Sequence, residues 1–304
     1  TKLGLVLWRK IMMATEKNKQ LEALTFWQLP IQYKPLEGGM TNSNFRVEHG
    51  DEIFFVRLGE DIPEHGVYRF NELAASRAAF SCGISPEVVH QESGAMVLRF
   101  IEGKTLKSEN LRDHSTMEKV VTLLKKCHFE MPQYLPGTTL IFWVFQVIRS
   151  YANTLRKGQS RMIPELSRFI EINMKLEKTV GAVDIRFGHN DLLFGNFIDD
   201  GLRLWLIDWD YAGFNSPLFD LANLASNNEY SELLERQLLG VYYEREASDI
   251  LWKRYFAMKC ASLLRESMWS MVSEIHSTLD FDFVNYTNEN LARFENTYEN
   301  FNKL

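Results

Sequence analysis

Cysteine is the first thing this chain is short of. It has three, Cys82, Cys127 and Cys260, far apart and matching neither a zinc spacing nor a disulfide framework. They read as buried or half-buried thiols of a reducing compartment, and a cytoplasmic protein is expected. Long apolar runs are missing too: no stretch approaches the roughly 20 residues a membrane span needs. The opening TKLGLVLWRKIMMA is short, poorly formed as a signal peptide and without a clear small-residue cleavage site. Residues 1–14 are expected to be a disordered or non-native tail, with Met12 or Met13 as a natural start. There is no excess of basic residues either. Lys and Arg number 34 against 40 Asp and Glu, a net charge of −6, which argues against nucleic acid as the main partner because phosphate binding wants a basic face. No internal repeat and no low-complexity linker is visible, so the 304 residues fit one large domain or two lobes.

What is present is ordinary globular composition, 45% hydrophobic and 24% charged, arranged in two different characters. Residues 15–27 carry a Thr15 cap and apolar residues at helical spacing. IQYKPLEGGMTNSNFRVEHGDEIFFVRL reads as three strands, joined by a Gly-rich turn and by His49-Gly50-Asp51. GVYRFNELAASRAAFSCG reads as a helix stopped by Gly83, and PEVVHQESGAMVLRFIEG as a hairpin turning at Ser93-Gly94. After Gly103 the chain becomes mostly helical, over 113–128, 140–158, 160–179, 218–226, 230–243, 247–276 and 285–301. The expected plan is α+β. A small sheet-bearing lobe covers 15–102, a hinge lies near Glu102–Lys104, and a larger helical lobe covers 103–304.

One stretch asks for chemistry. GHNDLLFGNFIDDGLRLWLIDWDYAG places Asp191 after His189-Asn190, Asn196 five residues further on, and Asp208 at the end of an apolar strand. This spacing matches the kinase pattern in which an acid accepts the proton of an attacking hydroxyl while an asparagine and a second acid hold magnesium between phosphates. Magnesium favours hard oxygen ligands and takes only one or two from protein, which Asn196 and Asp208 satisfy. Taken singly, each residue has a plainer role as a hairpin turn or a helix cap; the ordered set within 20 residues carries the reading. A second stretch, LEGGMTNSNFRV, offers Gly38 and Gly39 for close approach of backbone N–H groups to phosphate. Met40 lies in the same turn, and Thr41, Asn42 and Ser43 could add side-chain donors. Arg57 ends an alternating strand as a candidate phosphate-pairing cation, with Glu72 in the next helix as its candidate partner. MVLRFIEGKTL resembles a hinge strand whose backbone near Arg99, Phe100 and Ile101 could bind an adenine.

Together these residues resemble the choline/ethanolamine kinase family, within the kinase-like group that includes aminoglycoside phosphotransferases. The resemblance runs from about Leu36 to Phe294; GHNDLLFGN is similar to the family's catalytic stretch and LIDWDYAGFNSPLFDLAN to its second signature. It implies a protein-kinase-like bilobal fold, ATP as co-substrate and Mg2+ as cofactor. It implies Asp191 as catalytic base, Asn196 and Asp208 as metal ligands, Tyr211 in the alcohol pocket, and Asp220 as the acid that braces the catalytic loop together with His189. Trp269 and Tyr286 fall where the family places aromatic residues around an ammonium group, which cation–π attraction and nearby carboxylates, here Asp191 and Asp210, would hold. The chain departs from the pattern at three places. Glu266 stands where a second tryptophan is usual, Asp210 replaces a glutamate, and SNNEY leaves Glu229 or Tyr230 to stand in for a missing acid.

The resemblance therefore implies phosphorylation of a small cationic alcohol, choline before ethanolamine, with a homodimer as one assembly to expect. Thiamine or an aminoglycoside would keep the chemistry and change the acceptor. A pseudokinase binding module is the reading from another class, and the intact Asp191, Asn196 and Asp208 argue against it.

Overall fold

Alternating apolar residues begin the architecture. In β2 (Ser43–His49) Phe45 and Val47 are buried, and in β3 (Glu52–Leu58) Phe54 and Val56 join them on the covered face. Their antiparallel register sets Phe45 opposite Val56 and Val47 opposite Phe54, which stacks the apolar pairs. With β1 (Gln32–Leu36), β4 (Val88–Glu92) and β5 (Ala95–Arg99) they form a five-stranded antiparallel sheet in the order β1-β2-β3-β5-β4. Gly50 and Gly94 sit in the two hairpin turns at φ of 61° and 72°, conformations that favour glycine. Helix α1 (residues 15–22) lends Leu21, which is buried with Phe45, Phe54 and Val97 in one core. The computed structural model describes residues 15–28, 30–36 and 42–304; the tail expected over 1–14 lies outside the described residues.

This sheet belongs to the smaller of two compact units, the chain up to Asp61 together with Pro86–Glu102. The larger unit joins Ile62–Ser85 to Gly103–Leu304. It contains α2 (Arg69–Ser81), β6 (Lys104–Thr105), α3 (Ser108–Leu111), α4 (His114–Phe129), α5 (Val144–Lys157) and α6 (Leu166–Val180). After these come β7 (Arg186–Gly188), β8 (Phe197–Asp199), β9 (Leu204–Leu206) and β10 (Gly213–Asn215), then α7 (Pro217–Asn227), α8 (Glu232–Tyr243), α9 (Asp249–His276) and α10 (Phe283–Phe301). Helix α9 is the axis of this unit: it is buried nearly all round and packs on α5, α6, α7 and α10. Five short strands carry the loop that matters for function. β6-β8-β9 form one antiparallel sheet, and β7 pairs with β10 as a separate ribbon.

The expected plan of a sheet-bearing part and a helical part is the plan observed. Residues 62–85 join the larger unit rather than the sheet, because Val67, Ala75, Ala78, Ala79, Cys82 and Ile84 are buried in its core. The helix expected over 160–179 starts at Leu166, since Pro164 sits in a 3-10 turn over Ile163–Glu165. The one expected over 140–158 starts at Val144, because Phe142 donates its amide to Phe214 and accepts no helical role. The first helix stops at 22, and the Trp27 indole bonds back to the Leu21 carbonyl at 2.7 Å. Helix α3 and strand β6 are too short for periodicity to reveal. Among the described residues no helix is long and apolar enough to cross a membrane.

Candidate active site

The site grows from the β7–β10 ribbon, which ends at Gly188 and hands the chain to His189-Asn190-Asp191. Gly188 is required there: a Cβ would lie 3.1 Å from both the Asn190 Oδ1 and the Asp220 Oδ2. Asn190 then adopts a left-handed φ of 65°, an unfavourable turn for a residue with a side chain. Its buried amide compensates by donating to the carbonyls of Tyr211 (3.0 Å) and Gly213 (3.1 Å), while its Oδ1 accepts from Asn215.

Asp220, in the first turn of α7, braces the same loop. It accepts the backbone N–H of His189 at 2.9 Å and of Asn190 at 2.7 Å, and the His128 Nε2 at 2.9 Å. Burial pushes its pKa up, but the His128 bond and the neighbouring donors outweigh this and hold it below the ordinary carboxylate value. His128 is held in turn by the Tyr242 hydroxyl at 2.7 Å. Further along, Leu192 donates its amide to Asn223 at 2.6 Å, and Asn228 donates to the Leu192 carbonyl. His189 packs on Trp209 and stays neutral, its pKa lowered mainly by burial. Its Nδ1 accepts the Asp191 amide (3.2 Å), so Nε2 carries the hydrogen and donates to the Ile207 carbonyl (2.9 Å).

Asn196 closes the loop. Its Nδ2 donates to the Asp191 carbonyl at 2.9 Å, which turns Oδ1 away from that bond. The Ile207 amide donates to the Asn196 carbonyl at 3.0 Å, so Asp208 follows directly beside Asn196. Asp208 has a left-handed φ of 71°, a second strained position at the same place. An amide oxygen and a carboxylate are hard donors of the kind magnesium takes when phosphates and water complete its shell, so this pair fits the expected metal. Among the described residues no group of three or more His, Cys, Asp or Glu could hold a metal by itself.

Asp191 is within electrostatic reach of Asp208, Asp210, Arg265 and Glu266. Burial pushes its pKa up to about 7; Arg265 opposes the rise, and Glu266, Asp208 and Asp210 add to it. A carboxylate poised near neutrality suits a general base. Trp269 donates its indole N–H to the Tyr211 hydroxyl at 2.8 Å, and the Tyr286 hydroxyl donates to Glu266 at 3.0 Å. Arg265, 1% exposed, bonds Glu266 through Nη1 and lays its guanidinium 4.5 Å from the centre of the Tyr211 ring. His65 stacks on Trp269 at 4.9 Å and hydrogen-bonds Ser273, with its pKa lowered to about 3 by burial first and the Arg265 charge second.

Two expected residues stand elsewhere or do other work. The Tyr230 hydroxyl donates to the Leu111 carbonyl and its ring is buried, so it packs α3 against the α7–α8 connection instead of facing Asp191. Asp210 is buried and receives Arg69 at 2.8 Å; the same guanidinium holds Glu72 at 2.5 Å within the larger unit. In the smaller unit, Gly38, Gly39, Met40 and Thr41 lie outside the described residues. Asn42 and Ser43 lead into β2, and Arg57 is buried on β3 opposite Asn44 and Met96. The amides of Arg99 and Phe100 donate to the Glu87 and Ile53 carbonyls, so neither N–H is available to an adenine; Ile101 is the next backbone position. Sequence reasoning missed His65, His128, Asn223 and Arg265. Only Arg265 had a signal, an Arg-Glu-Ser step set between the apolar Leu263-Leu264 and Met268-Trp269 of a long helix.

Comparison with known proteins gives the family and the fold. The family model for choline/ethanolamine kinase matches residues 33–233. The LicA protein of Haemophilus influenzae is 26% identical over 250 residues, 79% of this chain and 73% of the relative. Among solved structures, a choline/ethanolamine kinase family protein from Mesorhizobium loti superposes with a TM-score of 0.75 at 24% identity, over 94% of this chain and 95% of that one. The choline kinase LicA of Streptococcus pneumoniae gives 0.74 at 22% identity, over 97% and 100%.

Proposed function

The chain belongs to the choline/ethanolamine kinase family and is a phosphotransferase acting on an alcohol group; from that premise we propose that it transfers the γ-phosphoryl group of ATP to the hydroxyl of choline. The observation that carries the reading is Asp191, held by a braced loop beside the Asn196–Asp208 pair and electrostatically coupled to Tyr286 and Tyr211. In this mechanism Asp191 orients the alcohol and takes its proton as the oxygen attacks phosphorus. The imidazole of His189 stays neutral and fixes the loop, and Asp220 keeps its backbone in place. Magnesium on Asn196 and Asp208 supplies neutralisation of the phosphate charge when bound. Residues 38–43 and Arg57 would hold the triphosphate, and the segment at Ile101 the adenine. Most of the acceleration is positioning and electrostatics.

Ethanolamine is the second reading, favoured by Glu266. A primary ammonium donates hydrogen bonds that a carboxylate accepts, whereas a quaternary one relies on aromatic faces. Tyr286 and Arg265 already hold Glu266 in place. The test is ADP release with magnesium-ATP against choline, ethanolamine, thiamine and kanamycin, with Asp191→Asn as the blank. Turnover of choline that disappears in Asp191→Asn supports the reading. Turnover of ethanolamine alone moves the acceptor, and turnover retained by Asp191→Asn removes Asp191 from its role.

A further inference from the structure

Arg265 has more hydrogen-bonding capacity than its surroundings use. Its Nη1 is taken by Glu266 and the guanidinium lies close to the Tyr151 hydroxyl, but Nε and Nη2, both buried, meet no acceptor in hydrogen-bonding geometry. These two donors form one edge of the planar guanidinium, the edge that grips two oxygens side by side. Arg161 shows the same edge filled: its Nε and Nη2 reach the two Glu274 oxygens, both at 2.9 Å. A buried cation with one such edge unmet is costly unless a partner arrives. The partner that suits it is an anion with two oxygens.

The neighbourhood says where that anion comes from. The catalytic segment HNDLLFGN contains no lysine or arginine, so the loop that holds Asp191 brings no cation of its own. Arg265 supplies one from α9, close enough to act on the Asp191 carboxyl. Glu266 and the Tyr211 ring offset part of its charge, so a cationic alcohol can still be bound nearby.

We propose that Arg265 is a catalytic residue whose Nε–H and Nη2–H hold two oxygens of the phosphoryl group as it reaches the alcohol, and of the phosphomonoester product before release. This rests on the kinase reading above. In the step, the alcohol oxygen bonds to the γ-phosphorus, the bond from that phosphorus to the β-bridging oxygen breaks with its electron pair leaving on ADP, and the alcohol proton goes to Asp191. Arg265 exchanges no proton; it holds charge that builds on the transferred oxygens.

The test compares wild type with Arg265→Lys and Arg265→Leu by calorimetric binding of phosphocholine, phosphoethanolamine and inorganic phosphate in the presence of magnesium and ADP. Lysine keeps the charge and removes the fork, and leucine removes both. The expected result is binding of a phosphomonoester to the wild type, weakened at least tenfold in both variants, each shown to be folded by a cooperative melting transition. In turnover, Arg265→Lys should lower kcat by about 100-fold, the cost of losing a positioned oxyanion donor, with KM for the alcohol nearly unchanged. Equal binding in all three proteins, or no binding of any probe to the wild type, overturns the proposal. Carnitine provides a separate arm, since it carries a hydroxyl, a quaternary ammonium and a carboxylate. If carnitine binding needs Arg265 and phosphomonoester binding does not, the anion is the substrate's own carboxylate and the phosphoryl assignment is wrong. A failed alcohol panel with Arg265-dependent phosphomonoester binding would sink the choline reading and leave this one standing.

Discussion

Asp191 shows how one residue can carry two demands. In the proposed role it must be ionised to take a proton, yet burial and three neighbouring acids raise its pKa from 3.8 to about 7. The sign of the linkage follows. Between those values the folded nucleotide-free protein binds more protons than the unfolded chain, so stability falls as pH rises from about 4 through 7 and levels off above. Asp191→Asn removes this titration. Its stability relative to wild type should therefore increase across that interval, read from denaturant midpoints at a series of pH values. A difference independent of pH would mean that Asp191 ionises normally. Asn190 and Asp208 tell the same story in the backbone: both hold left-handed φ values that cost free energy, and both belong to the stretch proposed to carry the chemistry.

At the scale of elements, the catalytic loop is a short segment tied at both ends and braced from behind by α7. Helix α7 starts at Pro217 with a Ser216 cap, which fixes Asp220 within its first turn and aims the carboxylate at the loop amides. Asp220→Ala would leave the His189 and Asn190 amides and His128 without their acceptor. The expected cost is about 1–3 kcal/mol for each buried donor left unpaired, with kcat falling more than KM for ATP. Chemical denaturation and steady-state kinetics check both halves. Asp220→Ala with wild-type stability would mean that α7 does not brace the loop. Helix α9 serves the site differently. It places buried Arg265 and Trp269 beside half-buried Glu266, so the wall of the proposed pocket is part of the core and not a loop laid over it.

For the whole molecule, the two units have separate cores of unequal size. The smaller one buries a single cluster around Leu21, Phe45, Phe54 and Val97, while the larger surrounds α9 with helices. Local stability follows buried apolar contact, so the β1–β5 sheet should exchange its amides at lower opening free energy than α9. Native-state hydrogen exchange measures this, and a single common opening free energy for sheet and α9 would show one cooperative unit instead.

What the sequence determined by itself was the chemistry that is local along the chain. Asp191, Asn196 and Asp208 lie within 18 residues of one another, so strand, turn and strand geometry alone bring them together, and their order is readable without a fold. The strands of the sheet and the long helices were legible for the same reason, since their periodicity is local. Contacts across large separations were not. His65 stacks on Trp269 from more than 200 residues away, His128 meets Asp220 across 92, and Tyr230 turns to Leu111 across 119. Side-chain type gives no hint of such partners. Only tertiary packing decided them, because a buried polar group must find its acceptor wherever the folded chain provides one.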